Sequence, residues 1–286
     1  MTTRSKLVQA LAAGQAVFGA AIPAGDISGA QRMGDSNFDF AMVDMEHEGF
    51  DFPNVGDTLQ WLISRRRALA TGNVFAGPTP ILRLPHTAAD TEIWIAQQAL
   101  DYGVLGIVLP YAETAEQVER MVRALRYPRV DSDGVLRGER RVWPKAAIRY
   151  WGCSSFEEYH EFADLWPAAD GAEIVLIAMV ATPLARANIE EIAAVPGLSG
   201  ILFGAKHAWS AMGRWGKIDL EHPDLVEFRT AVLAACLRNS IIAGCSTTAT
   251  PPSGSTVTVD EDFAQRRIED GFRFFLTQGP AKPELF

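Results

Sequence analysis

Short apolar runs recur along the whole chain, and segments with a helical pattern separate them. Each run is only a few residues long and rich in β-branched or aromatic side chains, which is typical of strands buried on both faces. Runs of this kind predict strands at Ala16–Ala21, Phe40–Asp44, Thr79–Leu82, Gly106–Leu109, Glu173–Ala178, Gly200–Phe203, Ser240–Ala243 and Phe272–Leu276.

Helices are predicted between these strands because apolar residues return every three or four positions. The pattern is sharpest over Ala115–Arg126, and it also covers Ala88–Tyr102 and Asp224–Asn239. Strands that alternate with helices in this way predict an α/β protein, a closed (β/α)8 TIM barrel formed by a single domain over residues 1–286. A doubly wound sheet is the alternative, but no Gly-x-Gly-x-x-Gly follows the first strand.

Two polar stretches interrupt the alternation, Tyr127–Gly152 and Ser246–Asp260. Their composition predicts loops, which either form lids over a site at the barrel mouth or lie on the surface in contact with solvent. Aromatic residues crowd the predicted long loops around the mouth, namely Trp143, Tyr150, Trp151, Trp209 and Trp215. They either pack in the ordinary way or line a pocket, in which case the substrate is larger and more aromatic than a simple sugar acid.

Charge and cysteine content narrow the partners and the compartment. The net charge of −9 disfavours nucleic acid and anionic membranes, because both bind clustered Lys and Arg. The apolar run near the N-terminus is interrupted by Gly14, Gln15 and Gly19, so neither a signal peptide nor a membrane span is predicted. An odd number of cysteines without CxxC spacing fits a cytoplasmic protein in a reducing compartment.

Ionisable residues gather directly after the second predicted strand. The active site of such a barrel lies at the carboxyl ends of its strands, and this strand runs into Asp44-Met45-Glu46-His47-Glu48. Acids and a histidine are costly to bury, so these side chains are expected to face a polar mouth, where His47 can serve as a general base. The alternative is a solvated acidic loop.

Two further strand ends carry cations. Arg83 follows the third strand and needs an anion, either a substrate carboxylate or a structural ion pair with Asp44 or Glu46. The sixth strand is followed by glycine and then by Lys206 and His207, and glycine lets backbone N–H groups approach an anion. The predicted catalytic residues are His47, Arg83, Lys206 and His207, and the predicted substrate-binding residues are Asp44, Glu46, Gly204, Ala205 and Trp209.

Four stretches carry a resemblance to a known family: FDFAMVDMEHEGFD, ILRLPH, DYGVLGIVLPYAETAEQVERMVRALRYP and NIEEIAAVPGLSGILFG. Over nearly its whole length the chain resembles the class II pyruvate aldolases, typified by 4-hydroxy-2-oxoheptanedioate and 2-dehydro-3-deoxyglucarate aldolases and including macrophomate synthase. The resemblance implies a barrel, usually hexameric, that reversibly cleaves 4-hydroxy-2-oxo acids to pyruvate and an aldehyde. It also implies that His47 is the catalytic histidine, and that Arg83 polarises the pyruvate carbonyl and enolate.

The chain departs from the family where a metal is held. The family pattern Q-x-E-[ST] after the fifth strand reads Met179-Val180-Ala181-Thr182 here, and G-P-A-D after the sixth reads Gly204-Ala205-Lys206-His207. Both metal-binding carboxylates are therefore replaced, by Ala181 and His207, and alanine offers no oxygen to Mg²⁺ or Mn²⁺. The chain also ends about ten residues after the last predicted strand, so the family's last helix is expected to be short or absent; we expect a homo-oligomer, but not necessarily the hexamer.

Three hypotheses follow for a protein that acts on a small-molecule carbonyl or carboxylate. The first is a lyase that works through an enolate without the usual metal, with Arg83, Lys206 and His207 supplying positive charge; Lys206 is either a cation or a Schiff-base amine. The second is a metal-dependent aldolase with substitute ligands, in which His207, Glu46 and His47 hold an ion such as Zn²⁺. The third is a repurposed barrel with another reaction or with no catalysis. The cofactor is thus either absent or a divalent metal in a non-standard site.

Overall fold

A closed ring of parallel strands forms the centre of the molecule. The computed structural model describes residues 4–86, 93–130, 134–141, 143–246 and 261–277. Its barrel strands are β1 (Val17–Pro23), β2 (Phe40–Asp44), β3 (Thr79–Arg83), β4 (Gly106–Leu109), β7 (Val175–Val180), β8 (Gly200–Phe203), β9 (Ile242–Ser246) and β10 (Phe274–Thr277), and a separate hairpin pairs β5 (Arg129–Val130) with β6 (Leu136–Arg137). The barrel strands are hydrogen-bonded in chain order and β10 pairs with β1, so the predicted (β/α)8 barrel is confirmed.

Helices surround the barrel strands, and all those described except the first lie between two strands along the chain. They are α1 (Lys6–Ala12), α2 (Ile27–Asp35), α3 (Phe52–Leu62), α4 (Arg65–Thr71), α5 (Trp94–Tyr102), α6 (Ala115–Leu125), α7 (Lys145–Tyr150), α8 (Phe156–His160), α9 (Pro183–Ala187), α10 (Ile189–Ala193), α11 (Ala205–Ala211), α12 (Pro223–Arg238) and α13 (Glu261–Asp270). The helices predicted from the pattern correspond to α5, α6 and α12. Within the described ranges, none of the helices combines the length and the apolar character needed to cross a membrane.

Apolar side chains fill the interior of the barrel. Helix α1 closes the end where the strands begin, because its Leu7 and Leu11 belong to the same buried cluster as Val17 and Phe40. Phe40 leaves no room for a side chain on the neighbouring strand: a Cβ at Gly19 would lie 2.3 Å from its ring. Tight packing at this end leaves the opposite end, where the strands finish, as the place for a ligand.

Four strands lie further along the chain than the sequence predicts, namely β1, β7, β9 and β10. Strand β7 begins at Val175 and contains Met179, which was expected to follow it. Glu173 precedes the strand because its carboxylate accepts the backbone N–H groups of Arg4 and Ser5, at 2.9 and 2.6 Å. Strand β9 begins at Ile242, after Ser240 has turned the chain with a φ of 55°.

Of the two alternatives for Tyr127–Gly152, a lid over the mouth or a segment on the surface, the lid is wrong. The stretch contains the β5–β6 hairpin and α7, and it follows a helix rather than a strand, so it lies where the barrel strands begin. The indole Nε1 of Trp151 donates to the carbonyl oxygen of Gly103 at 2.8 Å, just before β4, and its ring packs 4.4 Å from that of Phe75, just before β3. The nearby Tyr150 packs against Trp151, so these aromatics do not line the mouth.

Two other predictions fall on parts of the chain outside the description. Of Ser246–Asp260 only Ser246 is described, as the last residue of β9. Residues 278–286, on which the expectation of a shortened last helix depends, also lie outside the described residues.

Candidate active site

A cavity of about 700 Å³ opens at the carboxyl ends of the strands. The structure brings seven of the nine predicted site residues to its wall: Asp44, His47, Arg83, Gly204, Ala205, Lys206 and His207. Glu46 lies directly behind them, where its carboxylate contacts both Arg83 and His47. The predicted residues after β2, β3 and β8 therefore converge at one place.

Arg83 is fixed by two carboxylates. Its Nε and Nη2 donate to Asp44 Oδ1 and Oδ2 at 3.0 and 2.5 Å, and its Nη1 lies 3.0 Å from Glu46 Oε2. Asp44 also accepts the backbone N–H of Glu46 at 2.9 Å, so the chain after β2 is bent around this carboxylate. Both roles proposed for Arg83 are compatible, because a guanidinium has five N–H groups and these contacts use three.

The two carboxylates differ in how readily they take a proton. Burial by itself raises the pKa of Asp44, but the hydrogen bond and the charge of Arg83 outweigh it, and the pKa is lowered. For Glu46 burial dominates, and the pKa is raised in spite of the opposing charges of Arg83 and His47. Asp44 is therefore the permanent counter-ion of Arg83, and Glu46 is the acid that is easier to protonate.

Two imidazoles face each other at the mouth. The Nε2 atoms of His47 and His207 are 3.2 Å apart, and the rings are nearly parallel, with centroids 5.4 Å apart. Burial, followed by the charge of Arg83, lowers the pKa of His207 to about 4, so this ring is neutral at pH 7. At 3.2 Å two imidazole nitrogens either share one proton or direct their lone pairs at a common cation.

Helix α11 brings the remaining polar groups to the wall. Lys206 lies in its first turn, and burial lowers the pKa of its amine. Gly204 contributes space rather than a donor: its N–H already donates to Val180 O at 3.0 Å, contrary to the expectation that it would hold an anion. A side chain there would strike Met179, whose Cε lies 2.7 Å from the position of a Cβ.

Trp209 is not among the residues that line the cavity. Its ring lies 5.5 Å from that of His222 and under the guanidinium of Arg214. Its indole nitrogen is buried, and no hydrogen-bond partner for it is found in the described part of the chain. The prediction that Trp209 binds substrate receives no support from this placement.

Ala181, where the resemblance implies the family's first metal ligand, has no side-chain oxygen for a magnesium ion. Ala181 is buried and does not line the cavity, and the next residue, Thr182, caps α9 and donates to Glu113 Oε1 at 2.6 Å. A different set of potential ligands lies nearby. One atom each from Glu46, His47 and His207 lies within 4.8 Å of the other two.

Tyr111 is not among the residues that line the cavity, but it packs against His207, and the sequence pattern did not reveal this contact. It follows β4 with a φ of 51°, a left-handed backbone conformation that is uncommon for a tyrosine. Its ring meets the edge of His207 at 5.4 Å and lies 4.2 Å from that of His86. Burial, and then the charge of Glu46, raise the pKa of its hydroxyl. A glycine or asparagine would have signalled such a backbone, but a tyrosine gives no such signal.

Comparisons with known proteins find relatives of this chain in sequence and in fold. The profile of the HpcH/HpaI aldolase/citrate lyase family matches residues 22–265. A hydroxypyruvate/pyruvate aldolase of Paraburkholderia phytofirmans is 26% identical over 90% of this chain and 85% of its own length. A 4-hydroxy-2-oxovalerate aldolase of Rhodococcus jostii is 29% identical over 93% of this chain and 86% of its own. A crystal structure of an HpcH/HpaI aldolase/citrate lyase family protein from Burkholderia cenocepacia superposes with a TM-score of 0.73, at 23% identity, over 97% of this chain and 93% of that one.

Proposed function

Because this chain belongs to the HpcH/HpaI aldolase/citrate lyase family, a family of carbon–carbon lyases, we propose that it cleaves or forms a carbon–carbon bond next to the carbonyl of a 2-oxo acid. The family resemblance inferred from sequence is thereby confirmed. The proposal adds that the reaction passes through an enolate and does not use the family's Mg²⁺ or Mn²⁺ site. The observation that carries it is the fixed guanidinium of Arg83 beside the cavity, held by Asp44 and Glu46.

Cleavage of a 4-hydroxy-2-oxo acid develops a negative charge on one oxygen and requires the transfer of a proton. When the C3–C4 bond of a 4-hydroxy-2-oxo acid breaks, the 4-hydroxyl loses its proton and the aldehyde leaves. The bonding electrons pass through C3 to the carbonyl oxygen at C2, which becomes an enolate. Protonation at C3 then gives the methyl group of pyruvate. A catalyst must therefore hold a cation at the C2 oxygen and a base near the 4-hydroxyl.

Arg83 and Lys206 supply the positive charge in this proposal. Three of the five N–H groups of Arg83 face Asp44 and Glu46, which leaves two for the carboxylate and carbonyl oxygens of a 2-oxo acid. Lys206 lines the same cavity. Its amine is partly desolvated, so its charge acts through a lower dielectric than it would in water.

The two imidazoles carry the proton. His47, which is more exposed, accepts the hydroxyl proton and later returns one to C3, while the neutral His207 shares it across 3.2 Å. Glu46 lies 3.4 Å from His47 Nε2 and stabilises the ring when it is charged.

Exchange of solvent deuterium into the methyl group of pyruvate, followed by proton NMR, tests the enolate without any aldehyde. Wild type is expected to exchange, and Arg83→Met to lose about 10²–10³-fold in rate because a fixed donor to the oxyanion is gone. Arg66→Met is the matched control, since that arginine is exposed, with 78% of its side chain accessible. Exchange by Arg83→Met at the wild-type rate, in a protein that circular dichroism shows to be folded, would contradict the proposal.

A second candidate is a metal-dependent aldolase with substitute ligands, and the distances from His47 to His207 and to Glu46 favour it. A tetrahedral Zn²⁺ with ligands at about 2.0–2.2 Å requires them to be about 3.3–3.5 Å apart. The two imidazole nitrogens are 3.2 Å apart, and Glu46 Oε2 is 3.4 Å from His47 Nε2. No hydrogen bond to that oxygen is found within the described residues, although Arg83 Nη1 and His47 Nε2 lie 3.0 and 3.4 Å from it. The set contains two nitrogens, which suits Zn²⁺ better than Mg²⁺.

The two candidates differ in what lies between the imidazoles, a proton or an ion. Chelator-treated protein that still exchanges deuterium at the original rate supports the first. Loss of exchange that Zn²⁺ restores and Mg²⁺ does not restore supports the second. Co²⁺ gives an independent readout: ligation in a tetrahedral site produces visible absorption, which His207→Ala should abolish.

We also propose that the protein works as a homo-oligomer. Phe50 and Trp94 are about half exposed and meet edge to face at 6.2 Å, and Phe52 packs against both. Exposed aromatic clusters of this kind are typical of interfaces between subunits. Light scattering on the purified protein gives the number of subunits directly.

A further inference from the structure

The floor of the cavity is formed by apolar side chains from four strands. Met42, Met179, Leu202 and Leu276 come from β2, β7, β8 and β10, and all line the cavity. Met42 precedes Asp44 by two residues, so both side chains point to the same face of β2. The floor therefore lies one layer of side chains below the ion pair of Asp44 with Arg83.

Met179 extends from this floor to the wall that carries the cations. It is the register partner of Leu202 on β8, and its Cε lies against the backbone of Gly204, two residues before Lys206. Met179 therefore lies beside the part of the cavity that a ligand between Arg83 and the first turn of α11 would occupy, since all of these line the same cavity.

We propose that Met179 selects a substrate whose carbon chain beyond the 2-oxo acid group is apolar, so that the aldehyde released or added is aliphatic or aromatic rather than polyhydroxylated. This inference rests on the proposed function. Methionine has no strong hydrogen-bond donor or acceptor and adapts its shape to apolar groups. A hydroxyl placed over it loses its water without gaining a partner, whereas a methylene group gains by leaving water.

The volume of the cavity agrees with a substrate longer than pyruvate. At about 700 Å³ it falls within the range of sites that enclose a drug-sized ligand, roughly 300–1,000 Å³. The charged groups that would hold a 2-oxo acid lie at the carboxyl ends of β2 and β3 and on α11. The floor extends from there to β10, so the rest of the substrate can lie on apolar side chains. Asp26, Arg32 and Ser36, which also line the cavity, belong to α2 and its two ends rather than to this floor.

Aldol addition of pyruvate to a series of aldehydes tests this inference. The series pairs butanal, hexanal and benzaldehyde with glyceraldehyde, and kcat/KM is measured for each aldehyde. For wild type we expect about a fourfold rise per added methylene and a preference of at least tenfold for hexanal over glyceraldehyde. Met179→Gln is expected to reverse the preference or reduce it below twofold, and Met179→Leu, which stays apolar, is expected to keep it.

Deuterium exchange into pyruvate, measured on the same samples, separates a failure of the inference about Met179 from a failure of the proposed function. If wild type exchanges deuterium but prefers glyceraldehyde, the inference about Met179 is overturned and the proposed function stands. Equal preferences in wild type and Met179→Gln also overturn it. If wild type neither exchanges deuterium nor condenses any aldehyde, the proposed function fails and the inference fails with it.

Discussion

Asp44 and Arg83 are register partners on neighbouring strands, and their side chains meet in a two-point ion pair at the mouth of the barrel. The pair is built on paired strands rather than on loops, so the guanidinium is positioned by the sheet itself. Both side chains are more than nine-tenths buried. Their orientation is therefore set before any ligand arrives, which is the condition for stabilising an oxyanion without reorganisation.

Replacing Asp44 tests this positioning. Asp44→Asn keeps the shape but removes the charge and one of the acceptors of Arg83, so a buried guanidinium loses its permanent counter-ion. We expect a loss of about 3–5 kcal/mol in the free energy of unfolding, measured by urea denaturation, together with a fall in kcat that exceeds any rise in KM. The exposed Asp35, which pairs with Arg66 at 3.8 Å, gives the control: Asp35→Asn should change stability by less than about 1 kcal/mol. Equal effects of the two substitutions would contradict the role given to Asp44.

His207 should make the metal-free protein sensitive to acid. Burial and the charge of Arg83 lower its pKa to about 4 in the folded state, whereas the unfolded chain keeps a value of about 6.5. The unfolded state therefore binds the proton first as the pH falls. The stability due to a neutral His207 is complete above pH 6.5 and is lost progressively as the pH drops toward 4, by on the order of 2 kcal/mol once screening at the mouth is allowed for.

Urea midpoints measured from pH 7.5 to 4 check this expectation. His207→Asn, which cannot titrate, should show a shallower fall across that window, and His222→Asn, which changes a histidine outside the cavity lining, should retain the wild-type slope. The expectation fails if wild type and His207→Asn have the same slope.

We expect the ring of Tyr111 to contribute more to kcat than its hydroxyl does. The ring fills the space between His86 and His207, so Tyr111→Phe is expected to keep kcat within about threefold. Tyr111→Ala removes the edge that holds His207 and should lower kcat about tenfold or more, with a changed pH profile because the imidazole gains water and its pKa rises toward the ordinary value. A fall in kcat for Tyr111→Phe as large as that for Tyr111→Ala would show that the hydroxyl is the important group.

The barrel and most of the polar cluster were predictable because a few neighbouring residues are enough to identify the end of a strand and the charged side chains that follow it. Asp44 and Arg83 each end a short apolar run, and parallel strands bring such ends together. The lid alternative for Tyr127–Gly152 failed because polar composition does not say at which end of a barrel a segment lies; the preceding helix decides that. Tyr111 was missed because its backbone conformation is imposed by tertiary contacts, including the hydrogen bond from Ala112 N–H to Met179 O at 3.1 Å. Trp209 was predicted because it follows Lys206 and His207 closely in the sequence. On α11, however, it packs against His222 and Arg214 and does not line the cavity.

Restoring the two carboxylates that the resemblance implies tests the proposal that their replacement removed a Mg²⁺ or Mn²⁺ site. The double variant Ala181→Glu with His207→Asp places carboxylates at the two positions where the resembling aldolases hold their metal. Hard oxygen ligands favour Mn²⁺ and Mg²⁺, so this variant is expected to bind Mn²⁺ at least tenfold more tightly than wild type, measured by the loss of the free-ion signal in electron paramagnetic resonance. Ala181→Gln with His207→Asn has nearly the same shape without the charge and should bind no better than wild type. Tight Mn²⁺ binding by wild type itself would contradict the idea that substitution of both carboxylates abolished the original metal site, because the described residues offer no carboxylate at either family position.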